Sequence, residues 1–425
     1  MSIPGSFLGG ARSRLLPASV PFRFFIAACV FHPLAWLALL AGADELALFS
    51  GGTGYVLASI HLSTLGVLTM TAMGASFQLL PVVTLRPLVS IWPAKTSFWL
   101  FLPGVILLTF GMISTDTASL NWGAGLVVSG LVLFALLTAN NLRGAGNLPV
   151  VAAHGWGAIV ALIILAAIGA LLAVDLDSGF LIDHQQMAIL HMNVAIFGFM
   201  GLLAIGLSLV LVPMFSLSRS LSTYQAWLQL ALTVASIVIF SIAVLIESKL
   251  LAVSAGTLGI AAAATHLHLM RNALRSGMRK RLGLSFILVR SSWVLLAVGL
   301  LTGMAIIIEF PIPNGPALFG FIILAGWLLT FLTGILQRIM PFLASMHAAD
   351  ASGMPPLLSD LTAQTPLKIH AVCHFTALVL CSIGIVLEWS ILIETGAIIG
   401  VIGSIAFLVF AAGVIVELKR HHSAD

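Results

Sequence analysis

The sequence predicts an all-α integral membrane protein with twelve transmembrane helices in three four-helix arcs around a pseudo-threefold axis. Three observations carry that reading. The first is composition. Of 425 residues, 60% are hydrophobic and 8% charged, and mean hydropathy is +1.16. A soluble core of this length needs a far more polar skin. The second is a repeat. Gly66, Gly74 and Pro81 recur with the same spacing as Gly198, Gly206 and Pro213, and again as Gly326, Gly334 and Pro341. A unit this long sets the architecture of the chain. The third is the segregation of charge between alternate loops, described below.

A membrane-spanning helix needs roughly 20 apolar residues. Stretches of that kind run over about 22–42, 54–82, 96–114, 119–140, 151–174, 185–213, 224–246, 250–271, 285–308, 316–340, 367–387 and 391–416. Grouped by fours they give repeats over about 22–140, 151–271 and 285–416 within one membrane domain, 1–425. The marked helix is the second of each group. Small residues let helices approach closely in lipid, so the glycine stripes of helices two, six and ten mark the centre of the bundle. Each proline is expected to end its helix. The longest loop is expected over 341–366, around Pro355 and Pro356. Residues 1–21 carry Arg12 and Arg14 but no clean apolar region before a cleavage site, so no signal peptide is expected.

With the N-terminus placed in the cytoplasm, 17 of the 18 Lys and Arg fall on inner segments, Lys249 being the exception. Acidic residues such as Asp44, Asp116, Asp183, Glu247 and Glu388 collect on the other face. This bias predicts that both termini are cytoplasmic. The net charge of +4 follows from that topology. It does not point to nucleic acid, because no basic patch with interleaved aromatics is present. The basic cluster over 271–281 reads as a topology anchor. The partner this composition requires is the lipid bilayer. Cys29, Cys373 and Cys381 all fall inside helices without metal-binding spacing and read as structural thiols.

Ionisable or ligating side chains inside a membrane are costly and mark candidate sites. Two histidines stand out by depth. His61 and His191 each lie about seven residues from the outer end of helices two and six, roughly 10 Å at 1.5 Å per residue. Relative to the repeat they are offset by two residues, so they either face each other across a helix pair or look into different clefts. The matching residues of helix ten are Phe321 and Phe319. A buried His that merely bonds a carbonyl is the ordinary alternative. His32 lies near mid-membrane, and His154, His266 and His268 lie toward the inner side. His370 and His374 are spaced i, i+4, which can present two imidazoles to one metal. His268 fits an interfacial role. Met70, Met73, Met187, Met192 and Met200 read as packing filler.

The segment from His61-Leu-Ser-Thr-Leu-Gly to Gln78-Leu-Leu-Pro81 resembles a divergent branch of the haem–copper oxidase catalytic subunits. The segment from His191-Met-Asn-Val-Ala to Val212-Pro213-Met-Phe resembles the same branch. That branch includes NnrS-type haem- and copper-containing membrane proteins linked to nitric oxide tolerance. The resemblance implies a haem b held through His61, with His191 as second ligand or distal group. It also implies copper as a second metal, for which His370 and His374 are the candidates. The implied role is nitric oxide handling or electron transfer, with a gas ligand or a small redox protein as partner. The chain departs from the oxidases in three ways. Helix seven lacks His, helix ten as bounded here lacks His, and Tyr55 and Tyr224 stand at helix ends. A complete oxygen-reducing centre is therefore not expected. The alternative reading is a transporter or assembly factor for haem, a metal ion or a small solute, since repeats with midplane polar groups also suit carriers.

Overall fold

The structure is a computed structural model that describes residues 15–84, 86–88, 90–146, 148–219, 221–352 and 356–423. Arg12, Arg14 and Pro355 lie outside the described residues. The described residues form helices and connections, without strands among them, and twelve helices are long and apolar enough to cross a membrane. They are α1 (Ser19–Ala41), α2 (55–83), α3 (Trp92–Ser114), α4 (Thr117–Leu142), α5 (Pro149–Ser178) and α6 (His184–Ser216). Then follow α7 (Thr223–Leu245), α8 (Lys249–Ser276), α9 (Leu284–Ile307), α10, α11 (Gln364–Leu387) and α12 (Ser390–Ser423). Several starts are set by local capping. Asp116, Asp183, Ser222 and Ser248 each accept an amide hydrogen bond from the first turn of α4, α6, α7 and α8.

The second helix of each group has three parts. Helix α2 runs through Tyr55–His61, a π-helical Leu62–Thr69 and Met70–Val83. Helix α6 runs through His184–Asn193, π-helical Val194–Gly201 and Leu202–Ser216. Helix α10 runs through Gly315–Phe321, π-helical Ile322–Leu329 and Thr330–Ser352. Each π segment ends twelve residues before its marker proline. Three such wide turns at one register confirm that the repeat is structural, and π turns are favoured at functional positions.

The helix contacts have threefold form. In every group the third and fourth helices pair as a tight hairpin, and the first packs along the second. The fourth helix then packs on the first helix of the next group, as α4 on α5, α8 on α9 and α12 on α1, which closes the ring. Helices α2, α6 and α10 are the most enclosed of the twelve. The three-arc arrangement therefore holds, with the marked helices innermost.

Three sequence expectations are corrected. The glycine stripes do not face the axis. A Cβ at Gly66 would stand 2.9 Å from Phe31 Cβ, and at Gly74 2.7 Å from Phe24 Cβ, both on α1. Gly198 and Gly206 meet Ala161 and His154 of α5 in the same way, and Gly334 meets α9 at Leu288 and Val289. Their work is to admit the first helix of their own arc. Nor do the prolines end the helices, since Pro81, Pro213 and Pro341 all lie inside them. Near a helix end a proline sacrifices one bond at little further cost, because the following residues find partners. The Arg86 and Ser218 amides, for instance, bond back to the Pro81 and Pro213 carbonyls. Helix α10 continues to Ser352, so the expected 341–366 loop is helical over half its length and His347 stands on α10.

Candidate functional site

The chemistry-bearing residues fall into two groups. The first surrounds a cavity of about 1120 Å³ in the half of the bundle nearer the acidic loops. Its walls come from the π segments and preceding turns of α2, α6 and α10, together with α4, α5, α7, α8 and α9. Its mouth is bordered by Ser50, Gly51, His184, Gln185 and Asn314. Toward the basic face the central helices close on one another. A separate pocket of about 50 Å³ lies between them there, lined mainly by apolar residues such as Leu203, Leu328 and Ile335.

His61 and His191 both line the large cavity. This decides the question left open by their two-residue offset, since the two imidazoles share one chamber. His61 Nδ1 donates to the Leu57 carbonyl at 3.0 Å, one turn back on its own helix. A carbonyl only accepts, so that bond fixes the proton on Nδ1 and leaves the Nε2 lone pair free. His191 is positioned differently. Its ring lies over Gly169 of α5, and its Nδ1 is enclosed near the Leu165 carbonyl without a well-formed hydrogen bond among the described residues. Asn193, two residues on, is committed to α7, bonding the Ile237 carbonyl at 3.2 Å and Ser241 at 3.0 Å. Ser59 and Thr64 likewise bond backbone carbonyls at 2.9 and 2.8 Å. The remaining wall is predominantly aliphatic and aromatic, with Leu131, Phe197, Leu300 and Trp327 among its members.

The second group is packed where the third arc meets the first. His370 and His374 of α11 stack with ring centroids 5.5 Å apart, and His32 of α1 meets His370 edge-on at 5.8 Å. All three are buried. Trp36 Nε1 donates to His32 Nε2 at 3.2 Å. His370 Nδ1 donates to the Gly403 carbonyl at 3.2 Å, and its Nε2 has no partner among the described residues. His374 Nε2 lies 2.7 Å from Thr330 Oγ1, whose own proton goes to the Ala325 carbonyl at 2.9 Å. His374 is therefore the donor to Thr330. Among the described residues, no group of three or more His, Cys, Asp or Glu is arranged to hold a metal ion.

The sequence reading missed His32 as the neighbour of His370. Helices one and eleven belong to different repeats, and only closure of the ring through α12 and α1 brings them together. A third polar group, His154 with Gln229 at 2.9 Å and Gln229 with Thr233 at 2.8 Å, ties α5 to α7. His268 is exposed and bonds Asn272 at 2.9 Å, in keeping with an interfacial place. The three cysteines are free thiols.

No family model and no curated protein sequence matches this chain.

Proposed function

We propose that this protein binds haem b in the large cavity, with His61 as an axial ligand and His191 as second ligand or distal group. The observation that supports this reading most is the single chamber shared by both imidazoles, with His61 Nε2 left free by the Leu57 bond. A ligating His usually donates its other ring nitrogen to a carbonyl or carboxylate in this way. The chamber is apolar and of ligand size, since pockets for one cofactor-sized molecule are about 300–1,000 Å³. When bound, haem supplies a one-electron couple and an iron that can take a small gas ligand. The chain's part is to hold the imidazole tautomer at His61, to keep water out with aliphatic walls, and to place His191 beside the same space.

On this reading the protein works in nitric oxide handling or electron transfer from a bacterial inner membrane, both termini in the cytoplasm. It does not reduce oxygen to water, because α7 offers no His and His347 of α10 stands near the basic face. His370 and His374 remain the candidates for a second metal such as copper. In favour is that each has one nitrogen engaged with Gly403 or Thr330 and the other outside those bonds. The test is haem quantitation and spectroscopy on purified protein. Wild type should show a Soret band. His61→Ala should lose most of the haem, and His191→Ala should alter the reduced spectrum. Unchanged haem content and spectra in both variants would overturn the assignment.

A second reading, a carrier for a metal ion or small solute, draws on the chamber's mouth at one face and its closure toward the other. A purified protein without a Soret band, even after haem addition, would favour it.

A further inference from the structure

Gly169 and His191 form a pair that the repeat reproduces elsewhere. A Cβ built on Gly169 would stand 2.9 Å from His191 Cε1, 3.5 Å from Nδ1 and 3.9 Å from Nε2. The first distance is shorter than real Cβ contacts allow, so the imidazole occupies space that only glycine leaves. His191 lies twenty-two residues before Pro213, and the residue at that place in the third arc is Phe319, before Pro341. Gly303 of α9 faces Phe319 as Gly169 faces His191, and its Cβ would stand 2.9 Å from Phe319 Cε2 and 3.3 Å from Cδ2. In the first arc the corresponding residues are Leu39 and Ser59, so the bulk stands on the first helix and the small residue on the second. Arcs two and three thus share one device, a glycine socket on the first helix that seats a ring from the second.

We propose that Gly169 is a positioning residue for the haem site, setting where the His191 ring stands in the cavity; this rests on the haem reading given above. Both rings line the chamber, but only the socket of the second arc holds a group able to ligate or hydrogen-bond. An added methyl at 169 must displace the ring, because the obstacle is the imidazole's own edge and the backbone is held in the middle of α5. An added methyl at 303 makes the same intrusion against Phe319 without moving an imidazole, which makes it the matched control.

The experiment compares Gly169→Ala, Gly303→Ala and His191→Ala in full-length purified protein. Resonance Raman spin- and coordination-state markers report on the haem. Carbethoxylation of the His191 peptide by diethyl pyrocarbonate, read by mass spectrometry, reports on the ring whether or not haem is present. Gly169→Ala should shift the haem markers and change the His191 modification rate several-fold, while Gly303→Ala leaves that rate at the wild-type value and moves the markers less. A Gly169→Ala protein with wild-type modification rate overturns the socket. A Gly303→Ala protein that shifts the haem markers as far as Gly169→Ala overturns the specific role of His191's seat. If the modification rate responds and no haem signal exists in wild type, the socket stands and the haem reading falls. Where Gly169→Ala fails to fold, Gly169→Ser and the reciprocal His191→Phe, which copies the third arc, serve in its place. His191→Phe should then be insensitive to residue 169 in its haem markers, and sensitivity would sink the proposal.

Discussion

His61 and His191 stand on a chamber of about 1120 Å³, whereas His32, His370 and His374 are packed ring against ring where the third arc meets the first. In sequence the two groups look alike, since each is a set of imidazoles inside apolar helices. What separates them is the space in front of the ring. The cavity pair has half-buried rings and room for a ligand. The buried trio is anchored by Trp36, Gly403 and Thr330, so its nitrogens serve mainly to tie helices together. The third arc also fills the position of His61 with Phe321, which packs against Trp36 with centroids 6.4 Å apart. The same fold thus makes a chamber on one side and a polar staple on the other. Intramembrane imidazoles mark function by default, but here they separate into rings that face open space and rings held against their neighbours.

The largest effect that would sharpen this contrast is on cofactor content. On the haem reading, His61→Ala should lose most of the haem with little change in thermal stability, because its hydrogen bond among the described residues stays within its own helix. Haem per folded protein, by pyridine haemochrome, together with a thermal unfolding scan, checks both halves. Equal haem loss in His374→Ala would erase the distinction.

Next in size is stability. His374→Ala removes a buried ring and leaves Thr330 and the stacked His370 without their partner. A buried group stripped of its partner costs about 1–3 kcal/mol, and the vacated volume adds to that. The expected outcome is a lower unfolding midpoint with haem content per folded molecule unchanged. The same substitution at His370 also asks whether copper is lost, by elemental analysis of the purified protein. Metal content falling in step with both His370→Ala and His374→Ala would move the trio from staple to metal site.

How far the sequence reached differs between these regions. The twelve spans were legible to within a few residues at most ends, because apolar length is dictated by the bilayer. The depth match of His61 and His191 was legible for the same reason. The direction of the glycine stripes was not. A small residue marks a close approach without saying which neighbour approaches, and Phe24, Phe31 and His154 of the first helices supplied it. The π turns left no signature of their own, since they depend on what packs around them. Their only trace was the fixed spacing to Pro81, Pro213 and Pro341. The trio stayed hidden because its members are distant in sequence and lie in different repeats.

The smallest effect concerns the link between these two features. Thr330 ends the π segment of α10, where its hydroxyl donates to the Ala325 carbonyl at 2.9 Å across five residues. The same oxygen accepts from His374 at 2.7 Å, so one side chain joins the wide turn to the buried trio. Thr330→Val keeps the shape and removes both bonds. The buried His374 N–H left without its acceptor costs about 1–3 kcal/mol, but the isosteric valine vacates no volume, so the loss should fall below that of His374→Ala. Because the two substitutions break the same contact, their effects should not add in the double variant. A thermodynamic cycle of wild type, both single variants and the double variant measures this. Fully additive losses would show that Thr330 and His374 act independently, and that the π turn of the third arc is held by packing alone.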